Sequence, residues 1–168
     1  MLKRYNLEIM TLIFFGTIAL CAVFGSRLGL IRRVMLGYMF LFTLHEWEET
    51  LFPGGFANLM VKFFCVEADA DKIAKAHIPV AALLLVITFV PFFTQRPTLS
   101  LVPVYLGLFE TFIHLAGIKI HKMEKPYTPG MVTGVLLGIT SVIVLLTYAR
   151  EQLLSGSGYV WGIPLTIL

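Results

Sequence analysis

Several apolar runs near 20 residues long divide this chain, and they constrain its fold more than any other feature. Each has about the length needed to cross the roughly 30 Å hydrocarbon core of a bilayer as an α-helix. Only 14% of the residues are charged, against about 25% in a soluble domain, while 58% are hydrophobic and the mean hydropathy is +0.86. The expected fold is therefore all-α, a polytopic membrane helical bundle formed by residues 1–168 as a single domain. About five transmembrane helices and one interfacial or re-entrant segment account for the chain, which leaves no room for a second, soluble domain.

The first span is expected from about Ile9 to Phe24. Met1-Leu2-Lys3-Arg4 ahead of it imitates a signal peptide, and Ile18-Ala19-Leu20-Cys21 imitates a lipobox. Leu20 is not the small residue required before the cysteine, and no A-x-A site follows, so the run is read as an uncleaved span. A basic connection, Gly25 to Arg33, leads to the second span, about Val34 to Phe52, which Pro53-Gly54-Gly55 ends. Phe56 to Phe64 is apolar but too short to cross, which fits an interfacial or re-entrant helix. Asp69 to Lys75 reads as its solvated end, its carboxylates forming a surface face or helix start. The third span is expected from about Ala76 to Phe93, with Pro79 in its first turn, where proline is tolerated. The fourth runs from about Leu99 to Ile120, with Pro103 near its start, and the fifth from about Gly130 to Tyr148. Ser155 to Leu168 is apolar but broken by Gly156, Gly158, Gly162 and Pro164, and fits a stretch at the interface anchored by Tyr159 and Trp161.

The net charge of +3 lies in the connections. In a membrane protein this reads as topology and headgroup contact and not as nucleic-acid binding. With five spans, the N-terminus and the second and fourth connections share a side, which carries Lys3, Arg4, Lys62, Lys72, Lys75, Lys119, Lys122 and Lys125. The opposite side carries Arg27, Arg32, Arg33, Arg96 and Arg150. Eight against five places the N-terminus in the cytoplasm. The two cysteines, Cys21 and Cys65, have no CxxC spacing and imply neither a disulfide framework nor a zinc knuckle.

One stretch contradicts the apolar background. Leu44-His45-Glu46-Trp47-Glu48-Glu49-Thr50 sets a histidine and three carboxylates at the end of the second span. An ionisable group at bilayer depth costs about 2.5–3.5 kcal/mol on insertion scales, so such a cluster is a functional-site hypothesis by default. At about 100° per residue, Glu49 lies near 40° from His45 and Glu48 near −60°, while Glu46 points sideways near 100°. His45 and Glu49 have the i, i+4 relation by which one helix offers two ligands to one metal ion. The fourth span carries a complementary stripe, Glu110, His114, Gly117 and His121. His45 follows Val34 by eleven residues and Glu110 follows Leu99 by eleven. One antiparallel span separates the two helices, so they run in the same direction and both motifs reach the same depth.

Imidazole with carboxylate suits zinc or iron, and facing helices that each give Glu and His assemble such sites in bundle interiors. His45, Glu49, Glu110 and His114 are the expected metal ligands. Glu48 is read as a further ligand, a bridge or a general base, and His121, nearer the interface, as a proton shuttle or headgroup contact. One distance, Glu49 to His114, decides between a shared site and two separate motifs. His77 reads as a cap or headgroup contact, and Asn58, after the Pro-Gly-Gly turn, is placed to point back at the site. Lys119, Lys122 and Lys125 read as a positive-inside loop. Gly130, Gly134 and Gly138 form a small-residue packing stripe.

The stretch His45-Glu46-Trp47-Glu48-Glu49 resembles the name-giving signature of the HXXEE family of bacterial integral membrane proteins. The likeness extends to Glu110-Thr111-Phe112-Ile113-His114 and to the run from Tyr127 to Thr133. The resemblance implies an uncharacterised protein suspected of being an enzyme, in a bacterial cytoplasmic membrane, and it supplies no substrate. In that signature the two middle positions are free, so it implies that His45, Glu48 and Glu49 are the core and Glu46 is variable. The functional expectation is an intramembrane metal-dependent enzyme, a hydrolase or acyltransferase, acting on a lipid or other hydrophobic substrate that enters from the bilayer. The rivals are a proton-coupled transporter or channel component using the same residues as a relay, and a non-catalytic component with a polar core.

Overall fold

The computed structural model describes the backbone of residues 2–24 and 28–167, and their side chains apart from those of residues 2–4, 24, 70, 71, 161 and 163–167. The side chains of Lys3, Arg4, Asp71 and Trp161, and all of Arg27, thus lie outside the described residues. Those residues form seven helices and no strand: α1 (Leu2–Phe24), α2 (Leu30–Thr50), α3 (Phe56–Phe63), α4 (Ala70–Thr94), α5 (Pro97–Ile120), α6 (Met131–Arg150) and α7 (Gly156–Ile167). Four are long and apolar enough to cross a membrane, over Tyr5–Val23, Lys72–Thr94, Pro97–Ile120 and Met131–Arg150. The second of the five expected spans, α2, is not among them. It carries Arg32 and Arg33 in its first turn and Glu46, Glu48 and Glu49 in its last.

Helix boundaries follow local chemistry. At the end of α2, the Gly54 N–H reaches back to the Glu48 carbonyl (3.0 Å) with φ at +73°, a conformation glycine adopts without a Cβ penalty. Asp69 caps α4, its carboxylate accepting from the Lys72 N–H at 2.8 Å. That cap moves the helix start to Ala70, so the stretch read as a solvated end is the first turn and a half of α4. Pro79, expected in a first turn, consequently lies inside α4, and Pro103, expected near the start of its span, lies inside α5, which begins at Pro97. Packed neighbouring helices and local adjustments make interior prolines tolerable in apolar bundles.

The C-terminal segment also differs from its expected form. Its glycines do not break it, because Gly162 lies against α5, where a Cβ would sit 2.6 Å from the Tyr105 ring and 2.7 Å from the Leu101 Cβ. The Tyr105 hydroxyl donates to the Tyr159 carbonyl at 2.8 Å, so α7 is held against α5.

Helix α5 packs on α4, α6 and α7, and α2 packs on α1, α4 and α6. The core between them holds Phe14, Met35, Tyr38, Met39, Phe42, Leu101, Leu137 and Tyr148, all fully buried. Two hydroxyl pairs stitch it: Tyr38 with Ser141 at 2.7 Å, and Ser100 with Tyr148 at 2.8 Å. The outward faces are apolar as well, with Leu12, Val23, Phe93, Phe112 and Leu146 exposed.

Candidate metal centre

The last two turns of α2 and the second half of α5 bring four side chains to one point. His45 Nε2 lies 3.6 Å from Glu49 Oε1 and 3.5 Å from Glu110 Oε2. His114 Nε2 lies 3.0 Å from Glu49 Oε1 and 3.8 Å from Glu110 Oε2. The four donor atoms all lie within 4.8 Å of one another. His45 meets Glu110 and Glu49 meets His114, in the same order along both helices, so α2 and α5 run in the same direction here. At ligand distances of about 2.0–2.1 Å, tetrahedral donors stand about 3.3–3.4 Å apart. The observed edges bracket that value.

The imidazoles are held in one tautomer. The Thr133 hydroxyl donates its proton to Glu48 Oε2 at 2.5 Å, and its oxygen lies 3.0 Å from His45 Nδ1. It must therefore accept from His45 Nδ1–H. The Thr128 hydroxyl donates to the His114 carbonyl and lies 3.1 Å from His114 Nδ1, so it accepts in the same way. Both rings carry their proton on Nδ1 and turn the Nε2 lone pair into the cluster. This is the arrangement of outer partners that orients metal-binding histidines. His45 Nε2, His114 Nε2 and Glu49 Oε1 are buried and have no hydrogen-bond partner. Buried polar atoms without partners are costly, and a cation at their common focus would satisfy all three, so the residues fit a bound metal ion.

Space for the rings comes from α6. A Cβ on Gly134 would stand 2.9 Å from His114 Cδ2 and 3.5 Å from His45 Cε1. One on Gly130, whose φ is +91°, would stand 2.6 Å from both Glu49 Cγ and His114 Cε1. The third glycine, Gly138, lies against Thr111. The small-residue stripe is thus a packing surface at Gly138 and the wall of the cluster at Gly130 and Gly134. From α3, the Phe56 ring covers His114, with ring centres 4.9 Å apart.

The other expected residues lie around the cluster and not in it. Glu48 turns to the start of α6, where both carboxylate oxygens are engaged. The Val132 N–H and the Tyr127 hydroxyl donate to Oε1 at 3.1 and 2.8 Å, and the Thr133 N–H and hydroxyl to Oε2 at 2.8 and 2.5 Å. Gly130, the N-cap of α6, has no side chain to cap with, and Glu48 supplies the carboxylate from another helix. Burial and the Glu48 carboxylate push the Tyr127 phenol up to about 12, so it stays a donor. Glu46 is buried, 4.0 Å from His77 Nδ1. His121 forms the C-cap of α5 with its ring edge-on to Phe63, 5.6 Å between centres. Asn58, placed by the sequence to point at the site, is instead exposed, because α3 turns Phe56, Ala57, Met60 and Val61 toward α4. Lys119, Lys122 and Lys125 are exposed.

Thr128 and Thr133 are the site residues that residue type alone does not mark. A threonine near a helix start is usually a cap, and only its place in the run from Tyr127 to Thr133 hints at more.

The profile of one family, described as "Protein of unknown function with HXXEE motif", matches residues 35–145, about two thirds of the chain. The matched segment holds all four clustered side chains, both threonines and the glycine wall. No curated protein and no solved structure gives a significant match.

Proposed function

The chain belongs to the HXXEE family, and from that premise we propose that it is a small intramembrane metal-dependent enzyme acting on a lipid or other hydrophobic substrate, by hydrolysis or acyl transfer. The observation that carries this reading is the convergence of His45 Nε2, Glu49 Oε1, Glu110 Oε2 and His114 Nε2 on one focus, three of them buried without hydrogen-bond partners. Two imidazoles and two carboxylates suit zinc or iron. Bound there, such an ion would supply Lewis acidity toward a carbonyl or toward water.

The chain's own residues divide the remaining work. His45 and His114 hold the ion through Nε2, and Glu49 and Glu110 balance its charge. Four protein donors fill a tetrahedral shell, whereas catalytic zinc keeps a position open. Glu110, with its side chain 21% exposed against 13% for Glu49 and 0–3% for the histidines, is the donor free to swing aside and take a proton. Glu48, with both oxygens engaged, acts as a positioning residue through Thr133. His121 keeps the headgroup role at the end of α5.

The membrane setting rests on the four apolar helices and their exposed apolar faces. We place α2 as a fifth span whose late carboxylates are each matched: Glu46 by His77, Glu48 by the start of α6, and Glu49 by the ion. The lysine-rich end, where α2 and α5 finish, is placed in the cytoplasm.

The relay alternative uses the same residues. A proton path needs groups in a row, whereas here four donor atoms lie within 4.8 Å of one another in a closed knot, which favours a bound ion.

Metal analysis of the purified full chain tests the reading. About one zinc or iron per chain is expected, with the affinity for the ion falling at least about tenfold in His114→Ala, a change of about 1.4 kcal/mol or more in binding free energy. Folded, metal-free wild-type protein that takes up neither ion would defeat it, and proton flux through the same protein in liposomes would favour the relay.

A further inference from the structure

A cleft of about 390 Å³ lies between α3 and α4 and reaches the cluster at Glu49. Its walls are apolar, with Phe56, Met60 and Val61 from α3 facing Ile73, Ala76 and Val80 from α4. Its volume is at the small end of the range for ligand pockets, about 300–1,000 Å³, which favours one chain over two. Val80 and Val66, both exposed, mark where it opens sideways.

The polar groups at the inner end are Glu46, Glu49 and His77. Glu46 already faces His77 and Glu49 faces the cluster, so that end offers no lysine or arginine to pair with an incoming carboxylate or phosphate, and an anion buried without a partner is costly. The cation lining the cleft, Lys72, is nearer the start of α4 and already donates to the Glu67 carbonyl at 3.3 Å. It is not placed to hold an anion at the inner end.

We propose that this cleft binds a neutral single-chain amphiphile, a long-chain alcohol, ester or amide, with its chain between α3 and α4 and its polar end against Glu46 and Glu49. The assignment rests on the metal-site reading for its functional meaning, because the polar end then lies beside the reactive centre. Phe56 serves both parts: it lines the cleft and covers the His114 ring.

Photolabelling tests the proposal without requiring turnover. Full-length protein in nanodiscs is irradiated with diazirine-bearing hexadecanol or with the corresponding palmitate, and the labelled peptides are mapped by mass spectrometry. The hexadecanol probe should label residues 56–63 and 70–80 saturably, competed by unlabelled hexadecanol. Ala57→Trp and Ala76→Trp fill the cleft from opposite walls, and either one, provided its gel-filtration profile is unchanged, should reduce that labelling about tenfold. The palmitate probe should label the cleft at least about tenfold less. Labelling insensitive to both tryptophans, or equal labelling by the anionic probe, would overturn the assignment. The measurement is repeated on chelator-treated protein. Cleft labelling that persists while metal analysis fails removes the metal reading and leaves the binding site, whereas metal uptake without cleft labelling does the reverse.

Discussion

Two threonines decide which nitrogen of each imidazole is free. Because the Thr133 hydroxyl is committed to Glu48 and the Thr128 hydroxyl to the His114 carbonyl, each oxygen can only accept from Nδ1–H. Thr133→Val and Thr128→Val keep the shape and remove the acceptor. Each should weaken metal affinity about 10–100-fold, the usual effect of losing an outer partner, as read by competition with a chromophoric chelator. The glycine wall gives a second prediction at this scale. Gly134→Ala sets a methyl 2.9 Å from His114 and 3.5 Å from His45, and such overpacking costs about 1–3 kcal/mol. Gly37→Ala on α2 meets nothing within 4 Å and should instead stabilise by about 0.5–1 kcal/mol. Thermal unfolding in detergent of the two variants against wild type checks both signs. The four clustered side chains were legible in the sequence because i, i+4 spacing and equal depth on two helices are periodic signals. The wall and the threonines were not, because a glycine stripe reads as packing and a threonine as a cap until the third helix is in place.

Glu48 works at the scale of elements, since it belongs to α2 and closes the start of α6. Its carboxylate meets the N–H groups of the second and third residues of α6, where the helix dipole favours negative charge. Glu48→Ala removes this cap and frees Thr133. It should destabilise the chain by about 2 kcal/mol, the upper end of measured caps, and weaken metal binding in the same direction as Thr133→Val. If unfolding shows no loss of stability while metal uptake falls as in His45→Ala, Glu48 is a ligand after all. On a helical wheel Glu48 and Glu49 both flank His45, at about −60° and 40°, and no property of α2 alone says that one faces α6 and the other α5. The expected span ends came close for α2, α5 and α6, where Pro-Gly-Gly, Pro97 and Gly130 punctuate the chain. They failed at the start of α4, where a capped polar turn extends the helix beyond its apolar part, and the stretch expected to be broken forms α7, whose Gly162 serves a tertiary contact with α5.

The whole molecule is asymmetric end to end. The cluster, α3, the cleft and the start of α4 gather at the end where α2 and α5 finish, together with Lys62, Lys72, Lys75, Lys119, Lys122 and Lys125. The arginines Arg32, Arg33, Arg96 and Arg150 lie at the starts of α2 and α5 and the end of α6, the opposite end if the helices cross as proposed. A native reporter separates the two orientations. Cys65 is exposed and unpaired beside α3, whereas Cys21 is half-buried in α1. A membrane-impermeant maleimide needs an accessible thiol, and Cys65 offers one without any substitution. If the lysine-rich end is cytoplasmic, the reagent should label Cys65 in inverted vesicles and not in sealed right-side-out ones, with Cys65→Ser as the blank. The reverse pattern would turn the molecule over and put the cleft on the outer side. Equal labelling from both sides in vesicles shown to be sealed would mean that the chain inserts in both orientations. The cluster geometry is indifferent to that result, because the same-direction pairing of α2 and α5 rests on side-chain contacts alone.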